Sequence, residues 1–370
     1  MRFLYICRQF NRSGYYILKS LLQGGKHLPL MVMLPQPHLP ELIDEPEQLN
    51  AVREEYLEEV AYYGCQPLRC FKSIRSLADD YNIPVVERQE IKSDRAYEWL
   101  ESLDLDLIVL GGGWKQLIPK RIINLPRYGI LNTHPSLLPN FRGTDVHRWQ
   151  IYEGATISGI TVHYLDESFD TGDILGQVEV EVTDRDTPQD IAEKTGRVAG
   201  GLMVRILDKI AETIPDRLLG KPQTHLDDRS RYYSRWRWDN LEFLRIDWSR
   251  SARDISNFVR SCSQESYKYN GAFFFVCDKQ YILRQTIIEK YIGGGESGEI
   301  LRIDNKGILV YCRDDGEALL ITQIQPTTAE GWRNLFHSEP AIEPNSLMET
   351  IGLRVGDRLE SSLMEKTIDE

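Results

Sequence analysis

The sequence predicts a two-domain α/β protein: an N-terminal part built on a mostly parallel sheet covered by helices, and a small β-rich C-terminal part. Two patterns predict it. Over roughly residues 1 to 215, short apolar runs alternate with helical periodicity, as in a parallel sheet buried on both faces. Beyond about residue 245, several short runs of strand character follow one another between glycine-containing turns. Composition agrees: 370 residues, 41% apolar and 27% charged, exclude a disordered or fibrous chain and leave room for two or three domains.

Taken in order, residues 2 to 7 (RFLYIC) are an apolar run that reads as a buried first strand. The polar turn RQFNRSG follows, then the apolar-periodic helix YYILKSLLQ. LPLMVMLP (28 to 35) reads as the second strand, PVVE (84 to 87) as the third and LDLIVL (105 to 110) as the fourth, with helical patterns between them. Sheets of this kind bind ligands beyond the carboxyl ends of their strands, so chemistry is expected directly after Cys7, Leu110 and Leu131.

Residues 41 to 59 are strongly acidic, which reads as a solvated helix face. Around 218 to 245 the pattern breaks into LLGKPQTHLDDRSRYYSRWRWDNLEF, rich in arginine and aromatic residues, and reads as a linker between domains at 1–217 and 246–362. The second domain carries one helix pattern, SARDISNFVRSC, and the strand-like runs GAFFFV, QYILRQT, GEILRI, GILVYC and ALLITQIQ.

The six cysteines are scattered, most of them among apolar or aromatic residues, so a disulfide framework is not expected. Cys65 and Cys70 are too few ligands for zinc, and no metal is expected. No apolar run approaches a membrane span or a cleaved leader, so a cytoplasmic protein without membrane partners is expected. A net charge of −12 attracts polyanions poorly over long range and disfavours nucleic acid.

Two segments concentrate polar residues where chemistry is expected. GILNTHPSLLPNFRGTDVHRW (129 to 149) gathers Asn132, His134, Ser136, Arg142 and Gly143 in what reads as a loop stiffened by Pro135 and Pro139. Some 25 residues on, GITVHYLDESFDTGDILGQVEV reads as strand, turn and strand, which returns Asp170 to the same sheet end. From the residues alone, a turn-forming Asp170, a capping Asn132 and a partly buried His134 are equally available explanations.

The strings NTHPSLLPNFRG and FDTGDIL resemble the signature segments of the 10-formyltetrahydrofolate-dependent formyltransferases, which include methionyl-tRNA, glycinamide ribonucleotide and amino-sugar formyltransferases. RIDWSRSARDISNFVR, NGAFFF, SGEIL and GLRVGDRLES are similar to the C-terminal domain that the methionyl-tRNA enzymes share with some amino-sugar enzymes. The resemblance implies a Rossmann-like domain followed by a small OB-like one. It also implies catalytic roles for Asn132, His134 and Asp170, and 10-formyltetrahydrofolate as co-substrate with no metal. The chemistry fits: an amine attacking a formyl carbon creates an oxyanion that needs donors and a proton that needs an acceptor.

The resemblance further implies a folate site at GGGWKQLIP, with Gly111, Gly112, Gly113 and Trp114 offering close backbone approach and Leu117, Ile118 and Phe169 apolar wall. Plain core packing is the alternative for the apolar three, and a dinucleotide loop is the rival for the glycines, although GGGWKQ does not fit G-x-G-x-x-G. The acceptor remains open between a nucleotide-linked amino sugar, favoured by the acidic PQPHLPELIDEPEQLN after the second strand, and methionyl-tRNA. Acceptor phosphates are expected at Arg8, Arg12 and Ser13 near a helix N-terminus, with Ser136 and Arg142 as further substrate contacts. A hydrolase of the same cofactor, a non-catalytic folate-binding protein and a homodimer also remain open.

Overall fold

A computed structural model describes residues 1–8, 11–35, 73–88, 91–114, 117–224, 230–237, 240–263, 271–276, 279–313, 316–326 and 352–360. The acidic stretch 41 to 59, Cys65 and Cys70 lie outside the described residues. The chain divides into two compact units. The first comprises 1–147, 156–182 and 189–234; the second comprises 148–155, 183–188 and 235–370.

The first unit is built on β1 (Phe3–Ile6), β2 (Met31–Leu34), β3 (Val85–Glu87), β4 (Leu107–Leu110), β5 (Ile130–His134), a short β6 (Arg142–Gly143), β7 (Ile157–Tyr164) and β8 (Ile174–Glu181). Its helices are α1 (Arg12–Gly24), α2 (Ile74–Asp80), α3 (Asp94–Ser102), α4 (Lys120–Ile123), the start of α5 (Val146–Tyr152) and nearly all of α6 (Pro188–Thr213). The sheet order is β3-β2-β1-β4-β5-β7-β8, parallel from β3 to β5 and antiparallel at β7 and β8. A short β9 (Tyr232–Tyr233) pairs in parallel with β6.

The alternation of side chains explains why the first strands are apolar at every position. Phe3, Tyr5, Cys7, Val32, Leu34, Leu107 and Val109 face one core with α1, α2 and α6. Leu4, Ile6, Met33, Ile108 and Leu110 face the other, with Leu100 of α3 and Ile122 of α4. Both faces are dry, so no position on these strands tolerates a charge.

Successive strands run from β1 through β2 to β3 on one side and from β4 onward on the other, so the order reverses between β1 and β4. At that point Gly111–Gly113 meet the segment after β1. A side chain on Gly111 would strike the Tyr5 hydroxyl, one on Gly112 the Asn11 amide and one on Gly113 the Arg8 stem. The glycines are therefore required by the protein's own atoms, since Asn11 accepts from Gly14 N–H at 2.8 Å to cap α1.

The second unit carries α7 (Leu241–Leu244), α8 (Ala252–Ser261), β10 (Phe273–Val276), β11 (Lys279–Lys290), β12 (Ile300–Asp304), β13 (Gly307–Val310) and β14 (Glu317–Pro326). These strands form an antiparallel sheet in the order β10-β11-β14-β13-β12, with α8 lying against β11 and β14. Residues 357–360 bond to both edges: Phe275 N–H donates to Glu360 O at 2.9 Å, and Ile300 N–H to Asp357 O at 2.8 Å. That clasp satisfies edge groups in the manner of a small barrel. The rings of Trp149, Tyr152, Trp236, Phe243 and Phe258 cluster beside it. Cys7, Cys262 and Cys312 are buried thiols that form no disulfide, and burial pushes the Cys262 thiol up to about 12. The stretch read from sequence as a linker is divided between the units, 218–234 belonging to the first and 235–245 to the second.

Gly112 sits at φ 121°, where a β-branched residue is strained, and its neighbour is the α1 cap. Gly112→Val is expected to destabilise the fold by about 1–3 kcal/mol, read as a lower urea midpoint with unchanged slope.

Candidate active site

The site is assembled from β5, β7 and the β7–β8 loop. Asn132 and His134 stand on β5 itself, where sequence had placed them in a loop; Ile130–His134 pairs with β4 on one side and β7 on the other. Two residues apart on a strand, they share a face. Register then sets Asn132 opposite His163 and His134 opposite Thr161. The loop from 165 to 173 returns Asp170 over this face, with Asp170 in the left-handed region at φ 55°.

Asp170 is the centre. Its Oδ1 lies 3.4 Å from His134 Nδ1, 3.4 Å from Asn132 Nδ2 and 3.7 Å from His163 Nε2, and its Oδ2 accepts from Gly143 N–H at 3.0 Å. Its side chain is only 12% exposed. Burial alone would raise its pKa, but the charge and hydrogen bond of His134, with His163 and Gly143 N–H, lower it to about 2.

The two histidines divide by environment. Burial opposes a charge on His134, but Asp170 and the Phe141 carbonyl outweigh it and hold its pKa above the ordinary value. His134 Nε2–H donates to Phe141 O at 2.7 Å, which leaves Nδ1–H for Asp170. His163 is lowered, chiefly by burial and also by His134, so it is neutral. Its Nδ1–H donates to Tyr164 O at 2.8 Å, so Nε2 is an acceptor and takes a hydrogen bond from Asn132 Nδ2 at 3.1 Å. That contact fixes which end of the Asn132 amide faces the carboxylate.

The segment after β5 is pinned from β7 and β8. Thr161 Oγ1 donates to Ser136 O at 2.6 Å and accepts from Leu138 N–H at 3.1 Å; Gln177 Nε2 donates to Leu138 O at 2.9 Å. Gly143 leaves room for the Tyr233 carbonyl, which a β-carbon there would meet at 2.0 Å, so β9 lies directly against the residue that donates to Asp170.

Of the other expected site residues, Ser136 is fully buried and donates to Asn140 O at 2.7 Å. Arg142 donates to Ser230 O through Nε at 3.2 Å and Nη2 at 2.6 Å. Arg12 is paired with Glu193 of α6 at 3.4 Å and with Gln189 O at 3.3 Å, and Ser13 lies against Gly196 of the same helix. Arg8 packs over Gly113. Ile118 is core, and Trp114 packs partly buried on the same cluster. Leu117 and Phe169 are exposed, 43% and 42%, and the ring of Tyr232 stands 6.1 Å from that of Phe169. Lys120 bonds Glu167 at 2.6 Å, which ties the segment after Leu117 to the Asp170 loop. His163 and Thr161 were missed from sequence, and Gly143 was noted there without its role as a donor to Asp170. The available signal was an ionisable residue on an otherwise uncharged strand, seven positions before Asp170. Among the described residues, no group of three or more potential ligands is arranged for a metal, and no helix is long and apolar enough to cross a membrane.

A buried amide, imidazole and carboxylate at the carboxyl end of an α/β sheet are groups that an acid–base centre for group transfer uses. Formyl transferase, the family that this geometry fits, matches residues 46–207, and its C-terminal domain matches residues 240–335. A methionyl-tRNA formyltransferase of Clostridium perfringens SM101 is 31% identical over 278 residues, 75% of this chain and 85% of its own. That of Geobacillus sp. WCH70 is 31% identical over 287 residues, 77% and 84% of the two chains. The chain belongs to the formyltransferase family and is a formyltransferase.

Among solved structures, WlaRD, a sugar 3N-formyl transferase studied with dTDP and 5-N-formyl-THF, aligns with a TM-score of 0.58 at 18% identity. The alignment covers 87% of this chain and 97% of that one. HypX from Aquifex aeolicus, in complex with tetrahydrofolic acid, aligns at 0.52 and 18% over 96% of this chain, which spans about half (48%) of the HypX chain. At these identities the likeness is one of fold. Formyl-folate is the co-substrate of the family.

In the Asp170→Asn variant, burial of His134 is left without its opposing charge. His134 is expected to titrate below 6.5 there and above 6.5 in the wild type, with His163 below 6.5 in the wild type; imidazole NMR reads all three.

Proposed function

We propose that the protein moves the formyl group of 10-formyltetrahydrofolate to a primary amine, with Asn132, His134 and Asp170 as the reacting-centre residues. The observation that carries this is the set of two N–H donors, on Asn132 and His134, that both reach Asp170 Oδ1 at 3.4 Å. These are long contacts, and a formyl oxygen entering between the donors exchanges for them readily.

The amine lone pair attacks the formyl carbon, and the carbonyl electrons move to oxygen, which Asn132 Nδ2–H and the imidazolium of His134 stabilise. Asp170 keeps His134 charged and oriented. With its pKa near 2, Asp170 is a weak base itself, so the proton leaving the attacking nitrogen passes along water held on the carboxylate to the departing folate nitrogen. His163 stays neutral and holds the Asn132 amide. Exposed Leu117 and Phe169, with Trp114, fit the flat pterin, while Ile118 supports that wall from the core.

For the acceptor we favour a small nucleotide-linked amine. A net charge of −12 disfavours long-range capture of tRNA, and the exposed ring of Tyr232, beside the Phe169 of the pterin wall, suits a second flat heterocycle, that of a nucleotide. Methionyl-tRNA is the second reading, supported by the relatives that are methionyl-tRNA formyltransferases across most of their length.

Mass-spectrometric assay of formyl transfer to a nucleotide-linked 4-amino sugar and to methionyl-tRNA, across ionic strengths, separates the two. The sugar is expected to be formylated with little salt dependence. Efficient transfer to methionyl-tRNA that falls steeply with salt would falsify the sugar reading. With the acceptor that works, His134→Ala and Asp170→Asn are expected to fold normally and lose about 10²-fold or more in turnover. Near-wild-type turnover in either removes these residues from the reaction.

A further inference from the structure

Asp170 works only if the backbone that carries it stays where it is. That backbone is held at φ 55°, a conformation that an aspartate adopts at a cost, so something outside the residue must hold it. Part of the restraint comes from within the loop: Asp166 accepts from Ser168 N–H at 3.0 Å and from Thr171 Oγ1 at 2.7 Å. These bonds shape the loop without tying it to the rest of the unit.

Lys120 ties the loop at Glu167, ahead of the turn, and the tie nearest Asp170 is made by the segment that follows α6. Tyr164 donates its hydroxyl to Leu218 O at 3.0 Å, at the start of the loop. Lys221 and Ile174 exchange two main-chain hydrogen bonds, both 2.8 Å, at its end. Two residues further, the Gln223 side chain reaches the turn itself. Its Nε2 donates to Asp170 O at 3.0 Å and to Gly172 O at 2.8 Å, while its Oε1 is buried with no hydrogen-bond partner. Both amide protons are thus spent on the two carbonyls flanking Thr171, although the amide's own oxygen goes unsatisfied. A glutamate cannot replace it, because a carboxylate oxygen would face two carbonyl oxygens.

We propose that Gln223 is a positioning residue for formyl transfer: its amide fastens the backbone of the Asp170 turn, keeping the carboxylate on His134 and on the Gly143 N–H. Gln223 touches no reacting atom. Its effect is transmitted through the main chain of Asp170. The inference rests on the proposed roles of His134 and Asp170.

Gln223→Met keeps the length of the side chain and removes the donor. With whichever acceptor the wild type formylates, kcat is expected to fall on the order of 10-fold while KM for donor and acceptor stays within about twofold. In the unliganded variant the His134 titration is expected to move down towards 6.5, because Asp170 no longer stays beside it. That NMR reading needs no substrate, so it separates failure of this inference from failure of the acceptor reading. Gln223→Glu provides a second route if the methionine variant does not fold. Its activity relative to wild type is expected to be lowest where the carboxylate is ionised and to recover as pH falls and it protonates. Thr224→Ala, an exposed neighbour, is expected to match the wild type throughout. A kcat within about twofold of wild type with an unmoved His134 titration, or a Gln223→Glu to wild-type ratio constant with pH, overturns the proposal; a change in melting temperature alone does the same.

Discussion

A single buried carboxylate organises the candidate active site. Asp170 is nearly enclosed, and an ion in such surroundings persists only if donors replace the water it has lost. Three donors meet that requirement: the His134 imidazole, the Asn132 carboxamide, which His163 orients, and the Gly143 backbone N–H. Two of them stand on β5 and one on β6, so the carboxylate's solvation is also the reason that β5, β6 and the β7–β8 loop converge. The sign of each histidine follows from the same arrangement. The nearer one gains enough attraction to overcome burial, and the farther one does not.

The architecture explains how a strained turn comes to be rigid. Antiparallel β7 and β8 close the parallel sheet at one edge, and their connection folds back over Asn132 and His134 instead of continuing as a crossover. A hairpin loop of nine residues has little intrinsic rigidity. Here it is held between an internal Asx-type turn at Asp166 and the main chain of 218–223, which runs alongside it. Residues 218–234 are therefore part of the first unit, which carries the candidate site. β9 within them lies against Gly143, the donor to Asp170 Oδ2.

The glycines after β4 show how a motif is decided by its neighbours. Read as a sequence, Gly111–Gly113 suggest a cradle for a ligand. In the structure their missing side chains are accounted for by Tyr5, Asn11 and Arg8 at the β1–β4 reversal. Close packing of the chain on itself is sufficient reason for all three, whatever else approaches them. A similar account holds for Arg12, whose charge is engaged by Glu193 of α6, 181 positions away along the chain.

What the sequence determined by itself is what local pattern and composition can encode. Continuous apolar runs marked the strands buried on both faces, turn residues marked the antiparallel C-terminal sheet, and the strings around Asn132, His134 and Asp170 marked the family and, through it, a candidate site. Tertiary structure alone decided that Asn132 and His134 sit on a strand rather than in a loop, since the partners that make Ile130–His134 a strand are β4 and the antiparallel β7. It alone brought His163 opposite Asn132 and Gln223 onto the Asp170 turn. Cross-strand register and side-chain to main-chain hydrogen bonds over 50 or more residues depend on how whole elements pack, and no spacing along the chain carries that information.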